Sequence, residues 1–265
     1  MAKPAGGFIW YELMTTDPDG AAAFYGPVVG WNIVGEPAPD ATVDYRHIQR
    51  SDGGSGGGVL RLTDEMCSNG ARPCWLGYLH VEDVDAAASA IEADGGKLLM
   101  PAFDLDVGRI AMVADPQGAP FYVMAPVPPA DNPHAESDVF SPDQPQHMRW
   151  NELMSSDYDA AVEFYTKHFG WTQEGAMPMG EMGEYRFIQH DGVMIGAIMT
   201  LMPGMPMSVW SHYIGVDDID RAVSAINDNG GKVVNGPMEI PGGEFALNGV
   251  DPQGANFGLV GPRKA

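Results

Sequence analysis

The chain has 265 residues, enough for one large or two medium domains, and its 36 acidic against 14 basic residues give a formal charge of -22. A surface of that sign repels phosphate backbones and anionic lipid, which argues against nucleic acid or a membrane surface as a partner. No apolar run has the length of a membrane span and MAKPAGGF lacks the apolar core of a signal peptide, so a soluble, cytoplasmic protein is expected.

The first predicted element, FIWYELMTT, is a strand, and Asp17 caps the helix after it with Pro18 at the first helical position. Pro27 is expected to cut that helix short before Gly30-Trp31. GWNIVG, DYRHIQ and GGVLRL then read as three strands separated by glycines and turn residues. In YRHIQ, alternation turns either Tyr45, His47 and Gln49 or Arg46 and Ile48 inward, and the sequence leaves both open. Cys67 and Cys74 fall in a presumed loop, DEMCSNGARPCW. Their spacing fits no zinc signature, and they read as reduced thiols.

A second group of elements follows. CWLGYLHV is a strand, an alanine-rich helix spans 83–94 and stops at Gly95-Gly96, and KLLMPAF, GRIAMVA and APFYVMA are strands. DPQG between the last two is a tight turn, with Asp, Pro and Gly at their favoured positions. The pattern is βαβββ written twice, an α+β arrangement in which helices back a curved sheet.

All of this recurs. WYELMTTD (Trp10 to Asp17) returns as WNELMSSD (Trp150 to Asp157), FY at Phe24-Tyr25 as Phe164-Tyr165, and GW at Gly30-Trp31 as Gly170-Trp171. YRHIQ returns as YRFIQ, WLGYLHVEDVD as WSHYIGVDDID, and DPQGA at Asp115 as DPQGA at Asp251. Order and spacing are kept, so two homologous domains are expected: 1–125, a proline-rich linker over 126–147, and 148–262.

With these motifs the chain resembles the vicinal oxygen chelate superfamily (glyoxalase I, extradiol dioxygenases, fosfomycin and bleomycin resistance proteins), and within it the two-domain glyoxalase-like antigen subgroup, often labelled hydroxylase. The carriers are FY…GW, VEDVDAAASAIEADGGK with VDDIDRAVSAINDNGGK, and DPQGAPFYV with DPQGANFGL. The resemblance implies tandem domains, each two βαβββ units forming a curved sheet around a cavity. It also implies where metal-dependent members hold their ion, on inward-facing His or Glu of the strands. By that register the slots fall on Trp10, Leu76 and Tyr122 in one domain and on Trp150, Ser211 and Gly258 in the other. The strands GGVLRL and MIGAIMT offer no carboxylate or imidazole for the remaining slot. A divalent site needs about three converging protein ligands, so no metal cofactor is expected unless an alternative, glyoxalase-type lyase or isomerase reading holds.

Strand alternation places Trp10, Glu12 and Met14 on one concave face, and Trp150, Glu152 and Met154 on the other. Tyr78 and His80 line the next wall beside Leu76, opposite Ser211 and Tyr213 of the second copy; Tyr122 completes the first cavity and Asn256 opens the second. With Tyr45, Arg46, Tyr185 and Arg186, these form the expected ligand-binding set. Eight methionines between Met177 and Met207 suit either a tolerant pocket or core filling. Glu12 and Glu152 are the candidate catalytic residues: a general base, a metal ligand lacking companions, and a structural charge paired with Arg46 or Arg186 are all open. The leading expectation is metal-independent binding of a small apolar or aromatic molecule, as in bleomycin resistance proteins, by a monomer or homodimer. The alternatives are the lyase and a non-catalytic interaction module.

Overall fold

The computed structural model describes residues 5–35, 43–130, 132 and 135–264. The first half runs β1 (Phe8–Thr15), α1 (Pro18–Val29), β2 (Asn32–Val34), β3 (Tyr45–Gln49), β4 (Ser55–Arg61), a short α2 (Asp64–Ser68), β5 (Cys74–His80), α3 (Val84–Ala93), β6 (Lys97–Leu105), β7 (Gly108–Ala114) and β8 (Pro120–Pro126). The second half repeats it as β9 (Met148–Ser155), α4 (Tyr158–Phe169), β10 (Thr172–Pro178), β11 (Glu184–His190), β12 (Val193–Thr200), β13 (Val209–Gly215), α5 (Ile219–Asp228), β14 (Lys232–Glu239), β15 (Phe245–Val250) and β16 (Asn256–Gly261).

Each half forms a curved, open, mixed sheet of eight strands, ordered β2-β3-β4-β1-β5-β8-β7-β6 and β10-β11-β12-β9-β13-β16-β15-β14. The strands that open and close each βαβββ unit pair parallel, as β1 with β4 and β5 with β8, because a helix carries the chain back over the sheet. The strands between them pair antiparallel through turns.

Helix starts follow the sequence closely. Asp17, Asp83, Asp157 and Asp218 each cap a helix by accepting a backbone N–H from its first turn. Gly30 and Gly170 end α1 and α4 in the left-handed conformation, with φ of 90° and 65°. Pro27 does not shorten α1, contrary to expectation: the helix continues through it to Val29. Pro27 lies in the last turn, where only its own bond to the turn before is lost. Arg221 donates to the carbonyls of Pro27 and Val28 at 2.7 and 3.1 Å, satisfying groups that the helix end leaves open. The presumed cysteine loop is also more ordered than expected: Cys67 lies in α2 and Cys74 opens β5.

The chain packs as two compact units that cut across its sequence halves. One comprises Met1–Ile9, Gly77–Ser137 and Trp150–Ser211; the other comprises Trp10–Leu76, Asp138–Arg149 and His212–Ala265. In the second of these α1 packs on α5, and Tyr25 is fully buried among Phe24, Trp31, Trp75 and Phe257. Its hydroxyl accepts Trp75 Nε1–H at 3.0 Å and donates to Asp251 Oδ2 at 3.1 Å. In the other unit α3 packs on α4, and Tyr165 repeats the arrangement with Trp210 (3.0 Å) and Asp115 (3.1 Å).

The aspartate of each DPQG turn thus has two tasks. Its Oδ1 accepts two amides of its own turn, Gln117 and Ala119 or Gln253 and Ala255, and its Oδ2 receives the tyrosine. Burial raises the pKa of Asp115 and Asp251, and these hydrogen bonds pull it back. Burial, with the adjacent aspartate second, pushes Tyr25 and Tyr165 well above the usual phenol value.

Of the expected linker over 126–147, residues 131, 133 and 134 lie outside the described residues, as do 1–4 and 36–42 of the expected first domain. Much of the rest is anchored. Asp138 takes Arg50 at 2.5 Å, the Gln146 carbonyl takes Trp31 Nε1–H at 2.8 Å, and Phe140 bridges Met148.

Candidate functional site

Strand β9 alternates as its sequence requires. Asn151, Leu153 and Ser155 are buried on the face beneath the helices, while Trp150, Glu152 and Met154 are half-buried on the opposite face. On that open face Trp150 Nε1–H donates to the Tyr185 hydroxyl at 2.6 Å, and Tyr185 donates to Glu152 Oε2 at 2.7 Å. An indole N–H lies in its ring plane. With the two ring planes 6° apart and centroids 6.4 Å apart, the indole and phenol therefore sit edge to edge as one flat surface. Phe187, two residues along β11, stands upright beside both, at 78° to Trp150 and 79° to Tyr185.

The first half carries the same construction. Trp10 Nε1–H donates to the Tyr45 hydroxyl at 2.7 Å, and His47 stands upright to Trp10 (75°) and to Tyr45 (79°), where the second half has Phe187. Its burial differs. Glu12 is 2 % exposed, and Gly58 is its register partner on β4. A Cβ at Gly58 would lie 2.0 Å from the Tyr45 hydroxyl, so Tyr45 lies down on the strand where a side chain would otherwise be. The equivalent partner of Glu152 is Ala197. A groove of about 390 Å³ opens beside His47, lined also by Val34, Gln49, Gly54 and Ser55.

The open question about YRHIQ is answered by these contacts: Tyr45 and His47 share the Trp10 face, and Tyr185 and Phe187 share the Trp150 face. Arg46 and Arg186, named with the ligand-binding set and as partners for the glutamates, lie on the other face. Arg46 pairs with Asp19 at 2.5 Å and Asp44 at 3.0 Å, and those carboxylates raise its pKa, the Asp44 hydrogen bond most. Arg186 pairs with Asp159 at 2.5 Å and Glu184 at 3.2 Å and lies over the Tyr158 ring. A strand's period of two sends Tyr and its neighbouring Arg to opposite faces, which rules out the glutamate–arginine pair.

The remaining expected residues fall as follows. Tyr78 and Tyr122 are register partners and stack face to face, centroids 4.2 Å apart and planes at 15°. His80 pairs with Met124 one step on and is half-buried, its Nδ1 enclosed and without a hydrogen-bond partner. Tyr213 accepts from Asn248 Nδ2 at 2.9 Å, and its ring covers Gly258, where a Cβ would come within 2.4 Å of it. Met14 is buried, Ser211 is half-buried and Asn256 is exposed.

Three contributors escaped the sequence reading of the site: Phe187, Asn248 and the Gly58/Ala197 difference. Alternation from Tyr185 would have found Phe187. Asn248 reaches Tyr213 from a strand whose register the sequence does not reveal.

The donor set does not fit a divalent ion. Where the resemblance places metal ligands stand Trp10, Leu76 and Tyr122, and Trp150, Ser211 and Gly258. Among the described residues no three His, Cys, Asp or Glu side chains gather closely enough to hold a metal. His212, next to one slot, is turned to the other face against Tyr11 at 5.0 Å, and burial lowers its pKa to about 3. Cys67 and Cys74 are free thiols, and burial, with Glu12 second, pushes Cys74 up to about 12. Among the described residues no helix is long and apolar enough to cross a membrane.

Comparison with known proteins agrees with this architecture. Residues 145–259 match the glyoxalase/bleomycin resistance protein/dioxygenase superfamily, and residues 10–124 match a glyoxalase-like domain. The putative glyoxylase CFP32 of Mycobacterium tuberculosis (strain CDC 1551 / Oshkosh) is 31% identical over 96% of this chain and 94% of its own. The anthracycline biosynthesis protein DauV of Streptomyces sp. (strain C5) is 28% identical over 97% of this chain and 93% of its own. Among solved structures, the Mn(II)-bound glyoxalase from Novosphingobium aromaticivorans superposes with a TM-score of 0.63 at 20% identity, covering 98% of this chain and 83% of that one. The 2,3-dioxygenase LapB from Pseudomonas sp. KL28 also gives 0.63, at 13% identity, covering 99% and 94%. At such identities these two establish the fold alone. The chain belongs to the glyoxalase/bleomycin resistance protein/dioxygenase superfamily, with a domain of that kind in each half.

Proposed function

We propose that this protein binds a small apolar or aromatic molecule on the strand faces built around Trp150–Tyr185–Glu152 and Trp10–Tyr45–Glu12, without a divalent metal. The observation that carries the reading is the aromatic relay itself. Each face offers broad ring surface with a phenol, and the second adds a half-buried carboxylate, the apolar body with sparse orienting groups typical of small-molecule sites. The resemblance assigns the tryptophans' strand positions to metal ligands, which supports ring contact in place of coordination. DauV, named for anthracycline biosynthesis, supports a small organic ligand.

In this reading Glu152, half-buried, orients the ligand on the second face, while Glu12, 2 % exposed, lies beneath the first. Tyr185 holds one oxygen of Glu152, which fixes the carboxylate for a donor group arriving over the rings. A second reading, a glyoxalase-type lyase or isomerase, draws on the Mn(II)-bound glyoxalase among the fold neighbours and on the name of CFP32. In a metal-free form of it the same glutamates would serve as general bases.

A thermal-shift screen of chelator-treated protein against aromatic metabolites and antibiotics tests the choice. Binding predicts at least one stabilising compound with EDTA present. Stabilisation or turnover that returns only with Mn(II), Fe(II) or Zn(II) would favour the lyase.

A further inference from the structure

We propose that the second-half face is selective for a fused, planar aromatic alcohol, and that its selectivity comes from Trp150 and Tyr185 acting as a single flat platform. The proposal rests on the small-molecule reading above and sharpens it. Two rings held edge to edge present a surface about two rings long. A single ring would cover half of it, whereas a fused pair of rings matches its length. Stacking rewards planarity, because a puckered saturated ring system of the same volume meets the platform at only a few atoms.

Phe187 adds an upright wall along the platform, at 78° and 79° to its two rings. It limits how far a flat ligand slides and presents its own face to the ligand's edge. Glu152 shares this face and is half-buried rather than enclosed. A carboxylate has about four acceptor positions, so Glu152 receives a ligand O–H in addition to Tyr185. The same charge repels an anionic ligand, which selects a neutral hydroxyl over a carboxylate or phosphate. Arg186, next to Tyr185 in sequence, is paired on the other face with Asp159 and Glu184, and Arg149, three residues before Glu152, pairs with Glu244.

The first half lacks this accessibility. Tyr45 lies down over Gly58, and Glu12 is 2 % exposed, whereas Ala197 occupies the equivalent place beside Glu152. Phe187 is also replaced there by the exposed, polar His47. The two faces therefore differ in the ligand they accept, and the second is the aromatic one.

Isothermal titration of the full chain with four probes tests this: 2-naphthol, decahydro-2-naphthol, phenol and 2-methoxynaphthalene. The expected result is saturable binding of one 2-naphthol per chain, about tenfold or more tighter than decahydro-2-naphthol or phenol. 2-Methoxynaphthalene should bind several-fold more weakly than 2-naphthol, and E152Q should shrink that difference. W150L, folded by circular dichroism, should lose the preference for the planar probe; if W150L does not fold, Y185L, which removes the platform's other ring, carries the same test. Equal affinity for 2-naphthol and its decahydro analogue would overturn the platform while leaving small-molecule binding intact. Retention of the planar preference in folded W150L or Y185L would overturn it likewise. If no probe binds, flat or puckered, the small-molecule reading falls with it.

Discussion

The Tyr25 hydroxyl donates to Asp251 Oδ2 at 3.1 Å, joining residues 226 apart in sequence, and Tyr165 makes the same bond to Asp115 at the same length. Each tyrosine comes from the FY motif of one half and each aspartate from the DPQG turn of the other. The most recognisable motifs of the duplication are therefore the parts that tie the halves into shared cores. Tyr25→Phe removes a hydroxyl that both accepts from Trp75 and donates to Asp251, leaving two buried polar groups unmatched. The expected loss is about 1–3 kcal/mol of unfolding free energy, read from urea denaturation, with Tyr165→Phe giving a loss of similar size.

His212 makes the fold sensitive to acid. Its folded pKa, about 3 because of burial, lies below the ordinary histidine value of about 6.5. The resulting stability is full above about pH 6.5 and is lost as pH falls toward 3, because only the unfolded chain takes up the proton. Asp115 and Asp251 act with the opposite sign: their folded values are raised, so their contribution is full at low pH and is lost as pH rises through those values. Between pH 6.5 and 5 the histidine should dominate, with a slope approaching about 1.4 kcal/mol per pH unit. His212→Phe, which keeps a ring against Tyr11, should flatten that slope in urea titrations; an unchanged slope would count against the assignment.

Gly58 is what allows Tyr45 to lie down over its strand. Gly58→Ala should displace the Tyr45 ring, weaken its bond to Trp10 and expose Glu12, at a cost of about 1–3 kcal/mol from overpacking. Indole emission should move to the red as Trp10 becomes wetter. A spectrum and stability equal to the unmodified protein would show that Tyr45 does not need the space.

The two thiols should differ sharply in reactivity. Cys74, pushed up to about 12, carries almost no thiolate at pH 8, so a disulfide-exchange reagent should titrate about one thiol per native chain, Cys67, and two in urea. Rapid reaction of both thiols in the native protein would contradict the raised pKa of Cys74.

Much of the fold was legible because local chemistry and tertiary need coincide. The Asp caps, the αL glycines and the DPQG turns each mark an element boundary that the fold keeps. Pro27 misled because its cost depends on where in the helix it falls and on Arg221, which arrives from 194 residues away. The site was half legible. Alternation put Trp10 with Glu12 and Trp150 with Glu152, but whether Tyr or Arg of the YR pair joins them depends on the register of β3 against β4. Glu12 pairs with Gly58 and Glu152 with Ala197, and a one-methyl difference carries no signal until the strand pairing is known. The arginines went to the helix carboxylates Asp19 and Asp159 because those lie on the face the period of two assigns them.

The most direct test of the central claim is a calorimetric titration of 2-naphthol into protein freed of divalent ions by chelation, alongside the Trp10→Leu/Trp150→Leu double variant. Saturable binding by the metal-free protein, and its loss in the folded double variant, is the expected result. Binding that appears only after Mn(II), Fe(II) or Zn(II) is restored, or that survives removal of both tryptophans, would contradict it.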